Sequence, residues 1–219
     1  SFSETILRRL RNGAASFELV SSPAASVSAH RTRISPLFAS LSDRGSRFFA
    51  RLAPSLGSPA LKKVERYSVR KVIGDGRCLF RALVRGMALN KGVALSAREE
   101  TENADELRMA VKEVICDNGQ ERAHHQEALI AITVDESLKR YCQRIGSPDF
   151  WGGEAELLVL SKLCRQPVIV YIPENEQGGG WGYGGFIPIQ EYGSEFRKRS
   201  ETSKPVRLLY SGKNHYDLL

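Results

Sequence analysis

Gly74-Asp75-Gly76-Arg77-Cys78-Leu79-Phe80-Arg81-Ala82 decides how the rest of this 219-residue chain is read. Two glycines bracket an aspartate, which marks a tight turn. After the turn, Phe80, Leu83, Val84 and Met87 recur at i, i+3, i+4 and i+7, one face of a helix. Cys78 therefore sits where a turn becomes a helix. A helix N-terminus carries unpaired N–H groups and a partial positive charge. Both favour a thiolate over a thiol, and the thiolate is the nucleophile. Backbone N–H groups of Asp75, Gly76, Arg77 and Cys78 are the expected donors to an oxyanion of acyl transfer. Gly74 and Gly76 permit a close approach that a side chain forbids. Alone, Asp75 reads as a turn or cap residue.

Upstream, Tyr67 to Ile73 reads as an extended lead-in. Downstream, Asn103 with Glu106 has the spacing of a capping box, followed by the stripe Leu107, Ala110, Val111, Val114 and Ile115. Asp135 is placed to cap a helix with Leu138, Tyr141, Cys142 and Ile145 inward. Glu154 to Cys164 is an apolar, buried helix. Pro167 to Ile172 is a β-branched strand, and Phe186 to Ile189 and Val206 to Tyr210 are two more. Between them lies a glycine-rich loop over 178–185, either a mobile flap near the site or a plain hairpin loop. Helices first and strands later give an α+β fold, with a small central β-sheet flanked by helices.

The charge is uneven. Residues 1–60 hold eight Arg, no Lys and three acids, Glu4, Glu18 and Asp43, whereas the remainder carries 24 basic and 22 acidic residues. The folded part, 61–219, is nearly balanced, so a phosphate-tracking surface and nucleic-acid binding are not expected. Residues 1–60 also hold thirteen Ser. This segment reads either as a targeting peptide with a short amphipathic helix over Ser3 to Leu10, or as a disordered linker. No run of about 18 apolar residues exists, so no membrane span is expected.

His215 and Asp217 stand two apart near the C-terminus. In an extended segment, i and i+2 share a face. Asp217 then accepts from one imidazole nitrogen, fixing the tautomer, and the other nitrogen faces a thiol: nucleophile, base and orienter. A lone Cys at a helix start is more often a small core residue, and a His-x-Asp pair is common by chance. Only the combination points to catalysis.

The combination resembles a known family. Gly74 to Ala82 is similar to the nucleophile motif of the ovarian tumour (OTU) cysteine proteases, Trp151-Gly152-Gly153-Glu154-Ala155-Glu156-Leu157 to their second block, and Asn214-His215-Tyr216-Asp217 to their third. The three blocks occur in the family's order over residues 67–219. The resemblance implies a papain-like OTU fold and a thiol hydrolase that cuts after ubiquitin's C-terminal glycine. It implies Cys78 as nucleophile, His215 as general base and Asp217 as the residue orienting it. Asp75 matches the motif aspartate, either shaping the oxyanion loop or serving as a triad partner. No cofactor or metal is implied. Ubiquitin and polyubiquitin chains are the expected partners, a monomer the expected state, and the cytoplasm or nucleus the expected location, with plastid or mitochondrion as the alternative through residues 1–60. A non-catalytic ubiquitin-binding module of the same fold is the competing function.

Trp151, Gly152, Gly153 and Glu154 are candidates for lining the channel of the ubiquitin tail, with Glu154 and Glu156 facing its arginines. The plainer reading buries Trp151 and makes Gly152-Gly153 a helix-capping turn. Cys116, Cys142 and Cys164 lack paired zinc-ligand spacing and read as core residues. His124-His125 reads as a solvated helix start.

Overall fold

The structure, a computed structural model, describes residues 63–174, 184–197, 204–211 and 214–219. Residues 1–60, including Ser3 to Leu10 and the boundary at 60/61, and most of the glycine-rich loop lie outside the described residues.

Helix α1 (Cys78–Asn90) follows the turn, as its apolar spacing requires, and buries Phe80, Leu83, Val84 and Met87. Helix α2 (Ala97–Lys112) begins earlier than the Asn103–Glu106 spacing suggests. Ser96 caps it instead: its hydroxyl accepts from the Glu99 N–H and the Glu99 carboxylate accepts from the Ser96 N–H, a reciprocal capping box. The added turns are polar, so apolar periodicity does not reveal them. A π-helical turn, Glu113–Asp117, ends α2. Short helix α3 (Gly119–Ala123) and helix α4 (Gln126–Asp135) follow. Asp135 closes α4, and Ser137 caps α5 (Leu138–Arg144). Helix α6 (Glu154–Leu163) buries Leu157, Val159 and Leu160.

Four strands form the sheet: β1 (Val168–Pro173), β2 (Phe186–Tyr192), β3 (Val206–Tyr210) and β4 (Tyr216–Leu218), in the order β2-β1-β3-β4. β1 and β3 are parallel; the outer pairs are antiparallel. The expected α+β class is the observed one. Among the described residues no helix is long and apolar enough to cross a membrane.

The lead-in strip explains how distant parts of the chain meet. Arg70 exchanges backbone hydrogen bonds with Leu218, so residues before the catalytic turn run beside β4. Helix α1 lies on β3 and β4. The segment carrying Cys78 and the segment carrying His215 are thus held against one another by backbone pairing and a shared core of Leu79, Phe80, Leu208, Tyr216 and Leu218.

Cys116, Cys142 and Cys164 pack against the core as expected, but two features differ from the sequence reading. Cys116 and Cys142 are joined in a disulfide, Cα–Cα 5.6 Å, tying the end of α2 to α5. Their separation of 26 positions carries no pairing signal, and only the folding back of α5 brings them together. His125 is buried, not solvated, with its Nδ1 unpartnered among the described residues. Burial, then Lys162 and His124, depress its pKa to about 4. Cys164 is a free thiol beside the core, and burial pushes it up to about 12.

Candidate active site

Cys78 opens α1 and is 2% exposed. Its Sγ lies 3.6 Å from the carbonyl oxygen of Asn214, the residue before His215. Asn214 has φ 60°, a left-handed conformation that Asn tolerates better than most side chains, and this bend leads the chain into β4. Burial raises the Cys78 pKa above the ordinary thiol value. The N–H groups of Tyr216 and Leu79 pull it down, Asp75 and Asp217 push it up, and the net direction is upward. The helix N-terminus does not by itself make a thiolate here, because a nearly dry sulfur loses more hydration than the terminus returns.

His215 Nε2 is 3.1 Å from Asp217 Oδ1. A carboxylate only accepts, so Nε2 carries the hydrogen and the lone pair is left on Nδ1. That Nδ1 edge faces the catalytic turn: a Cβ built on Gly74 would stand 3.7 Å from it. Asp217 is fully buried and takes two further donors, the Val72 N–H at 2.9 Å and Lys71 Nζ at 2.9 Å. Burial pushes its pKa up, but Val72, Lys71 and His215 together outweigh this and hold it below the ordinary carboxylate value. Lys71 carried no signal in the sequence; its role depends on a contact 146 positions away.

Asp75 does not reach the imidazole pairing. Its Oδ1 accepts from the Arg77 N–H at 3.0 Å, and its Oδ2 accepts from Arg81 Nη2 at 3.0 Å. Burial raises its pKa, the Arg81 and Arg77 contacts lower it, and it ends below the ordinary value. Of the four expected oxyanion donors, three are already engaged within the turn. Asp75 N–H donates to Ile73 O, Arg77 N–H to Asp75 Oδ1, and Cys78 N–H to Asp75 O. The tight turn consumes its own donors, leaving the Gly76 N–H without an acceptor among the described residues. A side chain at Gly76 would run into the Pro148 carbonyl and the Asp149 backbone.

The Trp151 block splits. Trp151 is 38% exposed and lines a cavity of about 600 Å³ with Glu154, Tyr141, Asn214 and Tyr216. The surface reading of the tryptophan holds over the core reading. Gly152 and Gly153 border the same cavity but are buried. A Cβ at Gly152 would meet Leu79 Cδ2 at 2.8 Å, so its bareness lets this turn close on the helix behind Cys78. Glu156 borders the same cavity, but its carboxylate is taken up by internal partners. It is buried, accepts from the Gly153 N–H at 2.6 Å and the Tyr141 hydroxyl at 2.5 Å, and burial raises its pKa.

The chain is similar to known proteins. Residues 73–216 match the family described as OTU-like cysteine protease. An Arabidopsis thaliana protein, "OVARIAN TUMOR DOMAIN-containing deubiquitinating enzyme 3", is 64% identical over 228 residues, covering 100% of this chain and 97% of that one. A second from the same organism, "OVARIAN TUMOR DOMAIN-containing deubiquitinating enzyme 4", is 36% identical over 154 residues, 70% of this chain and 43% of its own length. Among solved structures, the viral OTU domain protease from Taggert virus overlaps 69% of this chain and 77% of its own, with a TM-score of 0.45 and 18% identity.

Proposed function

This chain belongs to the OTU-like cysteine proteases, and from that membership we propose that it is a deubiquitinating thiol hydrolase cleaving the isopeptide bond after ubiquitin's C-terminal glycine. Cys78 is the nucleophile, His215 the general base, and Asp217 the residue that orients His215. Ubiquitin and polyubiquitin chains are its substrates.

The observation that carries the reading is the pair of constraints around His215. Asp217 takes the Nε2 hydrogen, the Nδ1 edge faces the catalytic turn, and the sulfur rests against the backbone on either side of the same histidine. Because burial raises the thiol, the proton leaves Cys78 by transfer to Nδ1. The resulting imidazolium stays paired with the Asp217 carboxylate.

The sulfur then attacks the isopeptide carbonyl carbon, and the carbonyl electrons move onto oxygen. The Gly76 N–H receives that oxyanion, the other N–H groups of the turn being held by its internal hydrogen bonds. Collapse breaks the C–N bond. His215 gives its proton to the departing Lys amine, and a thioester joins Cys78 to the glycine carbonyl. A water molecule surrenders a proton to His215 and attacks the thioester. The C–S bond breaks, His215 returns its proton to the sulfur, and ubiquitin leaves as a carboxylic acid that loses its proton to solvent, restoring the thiol and the neutral imidazole. Asp75, bonded to Arg77 and Arg81, shapes the turn in this scheme and is not the partner of His215. The tail of ubiquitin lies along the cavity bordered by Trp151 and Glu154.

The test is a ubiquitin derivative ending in a thiol-reactive electrophile. The proposal expects one covalent adduct on the wild-type protein and none on Cys78→Ala. Binding of the probe by folded wild-type protein with no adduct would instead support the non-catalytic ubiquitin-binding module.

A further inference from the structure

The catalytic turn is gripped by a chain of charged side chains that the reaction itself does not use. Arg81, one turn into α1 and buried, sends Nη2 to Asp75 Oδ2 at 3.0 Å. Its Nη1 reaches Glu100 Oε1 at 3.2 Å and Thr101 Oγ1 at 3.0 Å, both on α2. Asp75 uses its other oxygen to hold the Arg77 N–H. A guanidinium is a planar fork with fixed donor directions, so one side chain locks a carboxylate on one side while anchored on the other.

Helix α2 also reaches the far side of the turn. Arg77 Nε bonds Asp105 Oδ1 at 2.7 Å. Arg108 bonds the same oxygen through Nη2 at 2.7 Å and the Ser147 carbonyl through Nη1 at 2.7 Å. Ser147 precedes the Pro148–Asp149 backbone that packs on Gly76. The Gly76 peptide, whose N–H faces no acceptor among the described residues, is thus braced from both sides by α2.

We propose that Arg81 is a positioning residue, fixing the Asp75 carboxylate and through it the backbone of the oxyanion turn, with Glu100 and Thr101 of α2 as its anchor. This rests on Cys78 being the nucleophile. Arg81 touches neither the thiol nor the imidazole in this arrangement. Its loss lets the Asp75 carboxylate rotate, releases the Arg77 N–H, and degrades the alignment of the turn with the oxyanion.

The experiment compares Arg81→Met with wild type in two reactions of the full chain. One is turnover of a ubiquitin C-terminal fluorogenic amide, which passes through an oxyanion. The other is alkylation of Cys78 by iodoacetamide, in which the sulfur displaces iodide from a tetrahedral carbon and no oxyanion forms. The expected result is a kcat lowered roughly tenfold to hundredfold, less than the roughly 10²–10³-fold loss when an oxyanion donor is removed outright, with KM within about twofold and alkylation within about twofold of wild type. Arg81→Lys, which keeps the charge and loses the fork, recovers part of kcat. A purely structural role lowers both reactions together with the folded fraction, and that result, or an unchanged kcat, overturns the proposal. If Arg81→Met does not fold, Glu100→Gln carries the same test, with a smaller loss confined to kcat. Turnover surviving in Cys78→Ala overturns the nucleophile assignment itself, whatever Arg81→Met does.

Discussion

The two halves of the site are built by different forces. The half that carries His215 is held by sheet structure: β4 pairs with β3 on one side and with Arg70 of the lead-in on the other, and Asp217 closes the gap with three donors. In the half that carries Cys78, helix α1 rests on β3 and β4, but the catalytic turn is not itself a strand of the sheet. It is held by Asp75, Arg77, Arg81, Glu100, Asp105 and Arg108, whose contacts cross from the turn to α2. Backbone ladders are stiff and tolerate side-chain loss. A network of ion pairs is directional, and losing one partner leaves buried charge behind. The base side should therefore tolerate mutation of its functional residue, while the nucleophile side should lose alignment when a supporting residue changes.

The largest expected effect comes from His215→Ala, which sharpens the comparison directly. Its kcat should fall roughly 10²–10⁴-fold, the range for loss of a general base. The unfolding midpoint in urea should stay within error of wild type, because the strand is held by its backbone. A variant that unfolds would break the contrast.

Next in size is a loss of stability in acid that belongs to neither half. His125 is neutral in the fold, with a pKa of about 4 against an ordinary 6.5. Above 6.5 neither state binds the proton and stability is complete. As the pH falls from 6.5 to 4 the unfolded chain takes up a proton that the fold refuses, so stability drops by about 3 kcal/mol. Urea midpoints measured from pH 7 to 4 should fall more steeply for wild type than for His125→Gln. Parallel curves would remove His125 as the cause.

Asp217→Asn probes the base half at its one ionic point. An amide accepts from Val72 but loses the charge that pairs with Lys71 and His215, and about 1–3 kcal/mol of stability should go with it. Turnover should fall with a changed pH profile, as the imidazolium is no longer stabilised. Smallest is Ser96→Ala, which removes the α2 cap and should cost about 1 kcal/mol by thermal or urea unfolding. Because α2 anchors the nucleophile half, this variant should also lower kcat modestly, a response that cap loss on a helix remote from the site would not give.

Much of the base half was legible in the sequence. His215 and Asp217 are near neighbours, and the two-residue period of an extended chain already puts them on one face. The helix behind Cys78 and strands β1, β2 and β3 were legible for the same reason, since periodicity is local. In the nucleophile half the turn and Cys78 at the helix start were legible, but the side-chain network that holds them was not. Arg81 meets Glu100, and Arg77 meets Asp105, across gaps of 19 and 28 positions that no pattern marks. The polar first turns of α2 hide behind an unremarkable composition, although Ser96 and Glu99 have capping-box spacing. The disulfide and the buried His125 were missed because both depend on how α3, α4 and α5 fold back. The thiolate expectation erred by weighing the helix terminus without the dehydration of the sulfur.

The central claim is that Cys78 ionises by giving its proton to His215. The pH dependence of Cys78 alkylation by iodoacetamide tests it most directly, in wild type and in His215→Ala. A buried thiol acting alone ionises above the ordinary value of 9.0. The account predicts that wild type is alkylated well below that pH, and that His215→Ala reacts only above it. Superimposable profiles for the two proteins would contradict it.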